Sequence, residues 1–194
     1  MIHQRMLPLL SLMTLFGLIG CSGVEVSQDY KKDADFSGIS SFAWATAAQE
    51  KTGDVRADSP LLHDRIRNAV EKSLKSMGLS PADRSAAGVL VEYKLQIRQK
   101  IRSDNVRGGV GFGYGSYGRV GGIAIGTGAD VQSYDEGLLV IDLIRADSRA
   151  LLWRGNATFP MLDHATPEKT TAQIQEAVEK TLAQFPPAPE ESKK

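Results

Sequence analysis

Val89-Leu90-Val91-Glu92-Tyr93-Lys94-Leu95-Gln96-Ile97-Arg98-Gln99-Lys100 is the stretch that decides the fold. Val89, Val91, Tyr93, Leu95 and Ile97 fall on one side of an extended chain, and Glu92, Lys94, Gln96, Arg98 and Lys100 on the other, because successive strand side chains point to opposite faces. One face is therefore core and the other wet. Strands of doubly covered parallel sheets tend to be apolar throughout, so the alternation predicts an antiparallel sheet with a solvated side.

Downstream, Leu138 to Ile144 is apolar on both faces except at Asp142, the mark of a central strand. Asp147-Ser148 can turn the chain back into Ala150 to Phe159, where Leu151, Trp153, Ala157 and Phe159 share a face with Gly155. The two segments predict a hairpin, with Asp142 either on its exposed face or paired with Arg154 across it. Thr166-Pro167-Glu168 then opens a helix with the stripe Ile174, Ala177, Val178, Thr181, Leu182 and Phe185. Glu168 sits where the helix dipole favours negative charge, and Pro186-Pro187-Ala188-Pro189 ends the element.

Upstream, Ser59-Pro60 predicts an N-cap and first-turn residue. Leu62, Ile66, Ala69, Val70, Leu74 and Met77 recur at helical spacing before Gly78 stops the run. Asp64, Arg67, Glu71 and Lys75 form the opposite face, with Arg67/Glu71 and Glu71/Lys75 four apart. Val24 with Val26, and Ser41 to Trp44, read as two short strands separated by the polar break Asp33 to Ser37; Ala45 to Asp58 reads as a surface loop. Trp44 and Trp153 are most simply core residues. The order strand, strand, helix, strand, strand, strand, helix predicts an α+β two-layer sandwich. Its sheet of about five strands is mostly antiparallel, with a mixed sheet as the alternative, and its two helices pack on one face.

Residues 107–128 carry glycine at nearly every second place. Gly113-Tyr114-Gly115-Ser116-Tyr117-Gly118 has the spacing of a dinucleotide fingerprint, which works only when the glycines lead into a helix that holds the pyrophosphate. Arg119-Val120-Gly121-Gly122 follows instead and cannot start a good helix, so no nucleotide is expected. Two readings stand: a loop that glycine's backbone entropy keeps poorly ordered, or an interaction arm. In the second, Val110, Phe112 and Tyr114, with Tyr117 beside them, present apolar and aromatic groups to lipid or to a partner sheet.

The N-terminus gives the address. Arg5 provides a cationic start, Leu7 to Ile19 is apolar but interrupted by Pro8, and the run is too short for a comfortable membrane span. Leu18-Ile19-Gly20-Cys21 resembles the lipobox of bacterial lipoproteins, which implies that residues 1–20 are a signal peptide and are removed. It also implies that Cys21, the sole cysteine, becomes a lipidated first residue carrying diacylglycerol and palmitate-type acyl chains. The competing reading is an ordinary signal peptide with a chance cysteine near its cut. A lone cysteine in an exported chain has no intramolecular disulfide partner, and more than one acyl chain is what gives stable anchoring. Ser22, where an aspartate would favour the inner membrane, points to the outer membrane. Residues 21–23 then make the lipidated N-terminus and short tether, 24–187 a single domain, and 188–194 a disordered tail.

From Cys21 onward the chain has 22 basic and 23 acidic residues. Near-neutrality argues against a dedicated nucleic-acid binder. His63 and His164 have no second ligand at short spacing, and Ser116 and Ser148 have no nearby base. No catalytic, cofactor-binding or metal residue is assigned, and no cofactor is expected.

Asp29-Tyr30, Asp35-Phe36, Ser41-Phe42-Ala43-Trp44, Met77-Gly78-Leu79, Gly137 to Leu143, Leu152-Trp153-Arg154-Gly155-Asn156-Ala157 and Phe185-Pro186-Pro187 follow one another in an order that resembles the DUF4136 family of bacterial lipoproteins, from about residue 24 to 187. The resemblance implies a lipoprotein and carries no biochemical activity. The expectation is a membrane-anchored, periplasmic-facing lipoprotein, a non-catalytic cell-envelope binding or assembly module with an envelope protein partner. The alternative is an envelope lipid- or glycan-acting enzyme with a dispersed site. A cleft of mutually close acidic or Ser/His groups would favour the enzyme, and an exposed sheet edge or apolar patch the binding module.

Overall fold

A computed structural model describes residues 23–47, 50–103, 131–162 and 164–187. The sheet is built around the alternating segment: β4 (Val89–Ser103) pairs antiparallel with β5 (Val131–Arg145). The hairpin partner β6 (Leu151–Pro160) and the edge strand β1 (Glu25–Tyr30) continue the sheet antiparallel on that side. On the other side β2 (Ser41–Trp44) and β3 (Ser80–Pro81) join in parallel, giving six strands in the order β1-β6-β5-β4-β2-β3. The sheet is therefore mixed and has one strand more than the sequence pattern predicts. Two-residue β3 has no periodicity to detect, and β2 is parallel because α1 (Pro60–Ser76) intervenes before β4.

Both helices, α1 and α2 (Pro167–Leu182), cover one face of the sheet, as expected. Leu95 faces Leu139, which faces Ala157; Val91 faces Leu143, which faces Trp153. Above this floor sit Leu62, Ile66, Val70 and Leu74 of α1 and Ile174, Val178 and Leu182 of α2, all buried in one cluster. Burying a side chain of this kind contributes about 1.5–3 kcal/mol, so the interlocked layer is the main source of stability. Gly155 is required here: a Cβ would lie 2.3 Å from Trp153 Cη2 and 2.4 Å from Thr181 Cγ2.

Some local expectations change. Ser59 is extended and makes no side-chain cap bond, whereas Thr166 does accept from the Lys169 N–H. Leu151 does not share the Trp153 face, because the β5/β6 register shifts between Leu143 and Ile144 and leaves Leu151 42% exposed. Strand β5 starts at Val131, six residues before the Gly137 that opens its apolar run, because backbone pairing with β4 continues as far as Ser103. The expected disordered tail 188–194 and the expected signal peptide 1–20 lie outside the described residues.

Candidate functional site

Three features of the described residues have functional geometry. The first joins α1 to the sheet. Glu71 lies four residues from both Arg67 and Lys75; its carboxylate accepts from Trp44 Nε1 at 2.9 Å and from Lys75 at 3.4 Å. Arg67 does not pair with it; its guanidinium stacks 4.1 Å above the Trp44 ring and donates to the Thr46 and Ala47 carbonyls. Trp44 is thus half-buried under a cation rather than a core residue. Beneath it, His63 Nδ1 and the Tyr93 hydroxyl hydrogen-bond. Burial pushes the Tyr93 phenol well up, so the phenol keeps its proton and donates. Burial, and then Arg67, hold the His63 imidazole below its ordinary value, so it accepts as the neutral ring. Short spacing alone gives His63 no partner, because Tyr93 lies 30 positions away.

A second feature occupies the open face. Arg154 grips Asp142 with two bonds, Nε–Oδ1 at 2.6 Å and Nη2–Oδ2 at 2.7 Å, and Asp142 is only 6% exposed. Both placements expected for Asp142 hold: it lies on the open face of the sheet, and there it pairs across the hairpin with Arg154. The flanking carboxylates of Asp29 and Glu92 add to the charge that raises the Arg154 value, with the Asp142 bond the largest cause.

The third is the edge of β4. Strand β2 accompanies it only as far as Val91, where the Ala45 N–H donates to the Val91 carbonyl at 2.8 Å. Backbone groups alternate sides along a strand, so Tyr93, Leu95 and Ile97 turn theirs to the same side. No described strand pairs with them there. A groove of about 480 Å³ runs between this edge and the loop carrying Glu50, Lys51, Thr52 and Asp54. At the same end of the sheet a cavity of about 350 Å³ lies between Gly23 and Glu25 on one side and Lys100, Ser133 and Tyr134 on the other, with Lys100 bonded to Glu136 at 2.6 Å.

The family model described as a domain of unknown function, DUF4136, matches residues 26–187. The chain belongs to this family. No curated protein sequence matches the chain. Among solved structures, the DUF4136 domain is similar to a PDZ domain protein from Parabacteroides distasonis ATCC 8503, with 13% identity and a TM-score of 0.50. That likeness covers 85% of this chain but 36% of the other, so this chain spans about a third of it. At such identity the likeness is one of fold alone. PelC from Paraburkholderia phytofirmans, a dodecamer, matches at 13% identity with a TM-score of 0.43, over 82% of this chain and 96% of that one.

Of the residues singled out from sequence, Cys21 and the arm residues Val110, Phe112, Tyr114 and Tyr117 lie outside the described residues of the DUF4136 domain. Their points of attachment are described. Gly23, the last position of the expected tether, and Ser103 and Val131, which bracket the glycine-rich segment, are all at one end of the sheet. Sequence reading missed the β4 edge because pairing partners are not encoded in a strand's own periodicity.

Proposed function

We propose that this DUF4136 protein is a lipoprotein of the outer membrane, held by Cys21, facing the periplasm and acting as a non-catalytic binding or assembly module of the cell envelope. Leu18-Ile19-Gly20-Cys21 supports the anchor and Ser22 the membrane. Only two residues' length of chain separates Cys21 from Gly23, at most about 7 Å when extended, so the domain is carried against the bilayer with its glycine-rich end inward. The observation that carries the binding role is the β4 edge beyond Val91, which no described strand pairs with. A row of free backbone donors and acceptors is a template for an added strand.

Mass spectrometry of the N-terminal peptide tests the anchor: a peptide beginning at Cys21 and bearing diacylglycerol is expected, and an unmodified Cys21 would sink it. A photo-crosslinking residue at Gln96 on the β4 edge tests the role, with Lys72 on the exposed side of α1 as control. Specific adducts from Gln96 alone, to an envelope protein or to a second copy of this chain, are expected. Equal adducts from both positions, or none from either, would count against the module.

A further inference from the structure

Among the described residues, β1 and the part of β4 beyond Val91 each have one side without a strand partner, and their chemistry is opposite. On the open face β1 presents Glu25, Ser27 and Asp29, and β4 presents Lys94, Gln96 and Arg98, all six exposed. On the helix face β1 presents Val26, Gln28 and Tyr30, and β4 presents Tyr93, Leu95 and Ile97. Val26 is 37% exposed, with no described strand beyond it. The Lys31 N–H donates inward to Leu152, so by alternation Val26, Gln28 and Tyr30 turn their backbone groups out to the free side.

We propose that copies of this chain join edge to edge, β1 of one copy adding to β4 of the next and extending the sheet from molecule to molecule. One antiparallel register satisfies every requirement together. It sets Glu25 opposite Arg98, Ser27 opposite Gln96 and Asp29 opposite Lys94 on the open face. On the helix face it sets Val26 opposite Ile97, Gln28 opposite Leu95 and Tyr30 opposite Tyr93. Those last three pairs are the ones whose backbone groups point toward each other, so they are the hydrogen-bonded pairs. Opposite charges directly across a strand pair stabilise it, and like charges do the reverse. Antiparallel pairing of β1 with β1 centred on Ser27 would set Glu25 against Asp29, and pairing of β4 with β4 centred on Gln96 would set Lys94 against Arg98.

Orientation agrees with the anchor, and here the proposal rests on the reading of Cys21 as the lipid attachment. Strand β1 is antiparallel to β6, β6 to β5 and β5 to β4, so β1 and β4 run in opposite directions within one molecule. Two copies standing on the same membrane with the same end down therefore present β1 and β4 to each other already antiparallel. Antiparallel pairing of β1 with itself would turn one copy's anchor away from the bilayer. A six-residue strand pair is a small contact, and confinement to one membrane raises the effective concentration that it needs. Each copy uses each edge once, so the interface is head-to-tail and builds a ring or a row.

The test is disulfide trapping in the full-length, lipidated protein reconstituted in vesicles. Ser27 and Gln96 are three strand spacings apart in one chain, about 14 Å, too far for an internal bridge. Ser27→Cys combined with Gln96→Cys should give a ladder of covalent dimers, trimers and larger species under oxidation, and each single variant should stay at background. Adding Asp29→Lys should abolish the ladder, and adding Lys94→Asp to that variant should restore it, a rescue that a folding defect would not show. A folded double variant that remains monomeric overturns the proposal. So does a ladder indifferent to Asp29→Lys, or a Ser27→Cys single variant that dimerises as well as the pair. Repeating the trapping at high protein concentration without vesicles, with the lipid on Cys21 weighed, separates the two readings. A ladder with unmodified Cys21 overturns the anchor and keeps the edge pairing; lipidated Cys21 with no ladder overturns the edge pairing alone.

Discussion

The β5/β6 hairpin presents two different surfaces from alternate residues of the same strands. Toward the helices, Trp153, Ala157 and Phe159 are fully buried, with Gly155 cut to zero side chain so that Trp153 and Thr181 can close over it. Toward the open side, Arg154 and Asn156 lie between the same neighbours, and the two buried carboxylates there both have cation partners, Asp142 a bidentate guanidinium and Glu136 the Lys100 ammonium. Burial on the first surface follows from area removed from water and close packing. On the second it needs a charge partner, because a buried carboxylate without one is costly. The helix face thus carries the main core, and the open face a small second cluster of Ala43, Ala87 and Leu90.

Replacing Trp153 by Ala should give the largest effect, about 3–5 kcal/mol from lost transfer energy and the cavity left behind, together with loss of the 2.8 Å bond from Trp153 Nε1 to Gln28. Urea unfolding monitored by circular dichroism measures it, and a loss under 1 kcal/mol would mean that this face is not the core. Gly155→Ala should cost about 1–3 kcal/mol by overpacking. A neutral result in the same unfolding assay would mean that α2 can retreat from the sheet freely. On the open face Arg154→Ala should cost less, about 1–2 kcal/mol, since the guanidinium is 44% exposed and water can partly replace it. Exchanging both partners for apolar residues, Asp142→Leu with Arg154→Met, should recover most of that loss. If the double variant is as unstable as the single, the pair does more than neutralise a buried charge.

The smallest expected effect is a pH dependence. His63 has its folded value depressed by burial and then by Arg67, so the unfolded chain binds the extra proton first. The stability His63 contributes as a neutral acceptor is then present above its ordinary value near 6.5 and is lost as pH falls below it. His63→Gln should flatten the stability profile between pH 7 and 5. An unchanged slope in thermal melts across that window would show that the Tyr93 bond survives protonation.

Much of the fold is written locally. The Val89–Lys100 alternation, the helical spacing from Leu62 to Met77 and the Pro167 helix start each need only their own neighbours to be read. The expected sandwich with both helices on one face followed from those periods. Strand β3, two residues with a proline, has no period to read, and Ser59 has the composition of a cap without making the bond. The candidate site was the less legible part. Arg67, Glu71 and Lys75 have ideal helix spacing, yet Trp44 takes Arg67 onto its ring and Glu71 onto its Nε1, a competition between partners that only the fold brings within reach.

The sequence alone determined which residues face the core, because strand and helix periods are local geometry. It also set the lipobox-like Leu18–Cys21 that suggests an address, because that pattern is read along the chain rather than in space. Tertiary structure decided what meets across distance: His63 with Tyr93, Arg154 with Asp142, and two sheet edges of opposite charge. The physical reason is that side-chain pairing and edge exposure depend on which strands become neighbours. Strand order is set by the packing of the whole chain, with no period of its own to leave in the sequence.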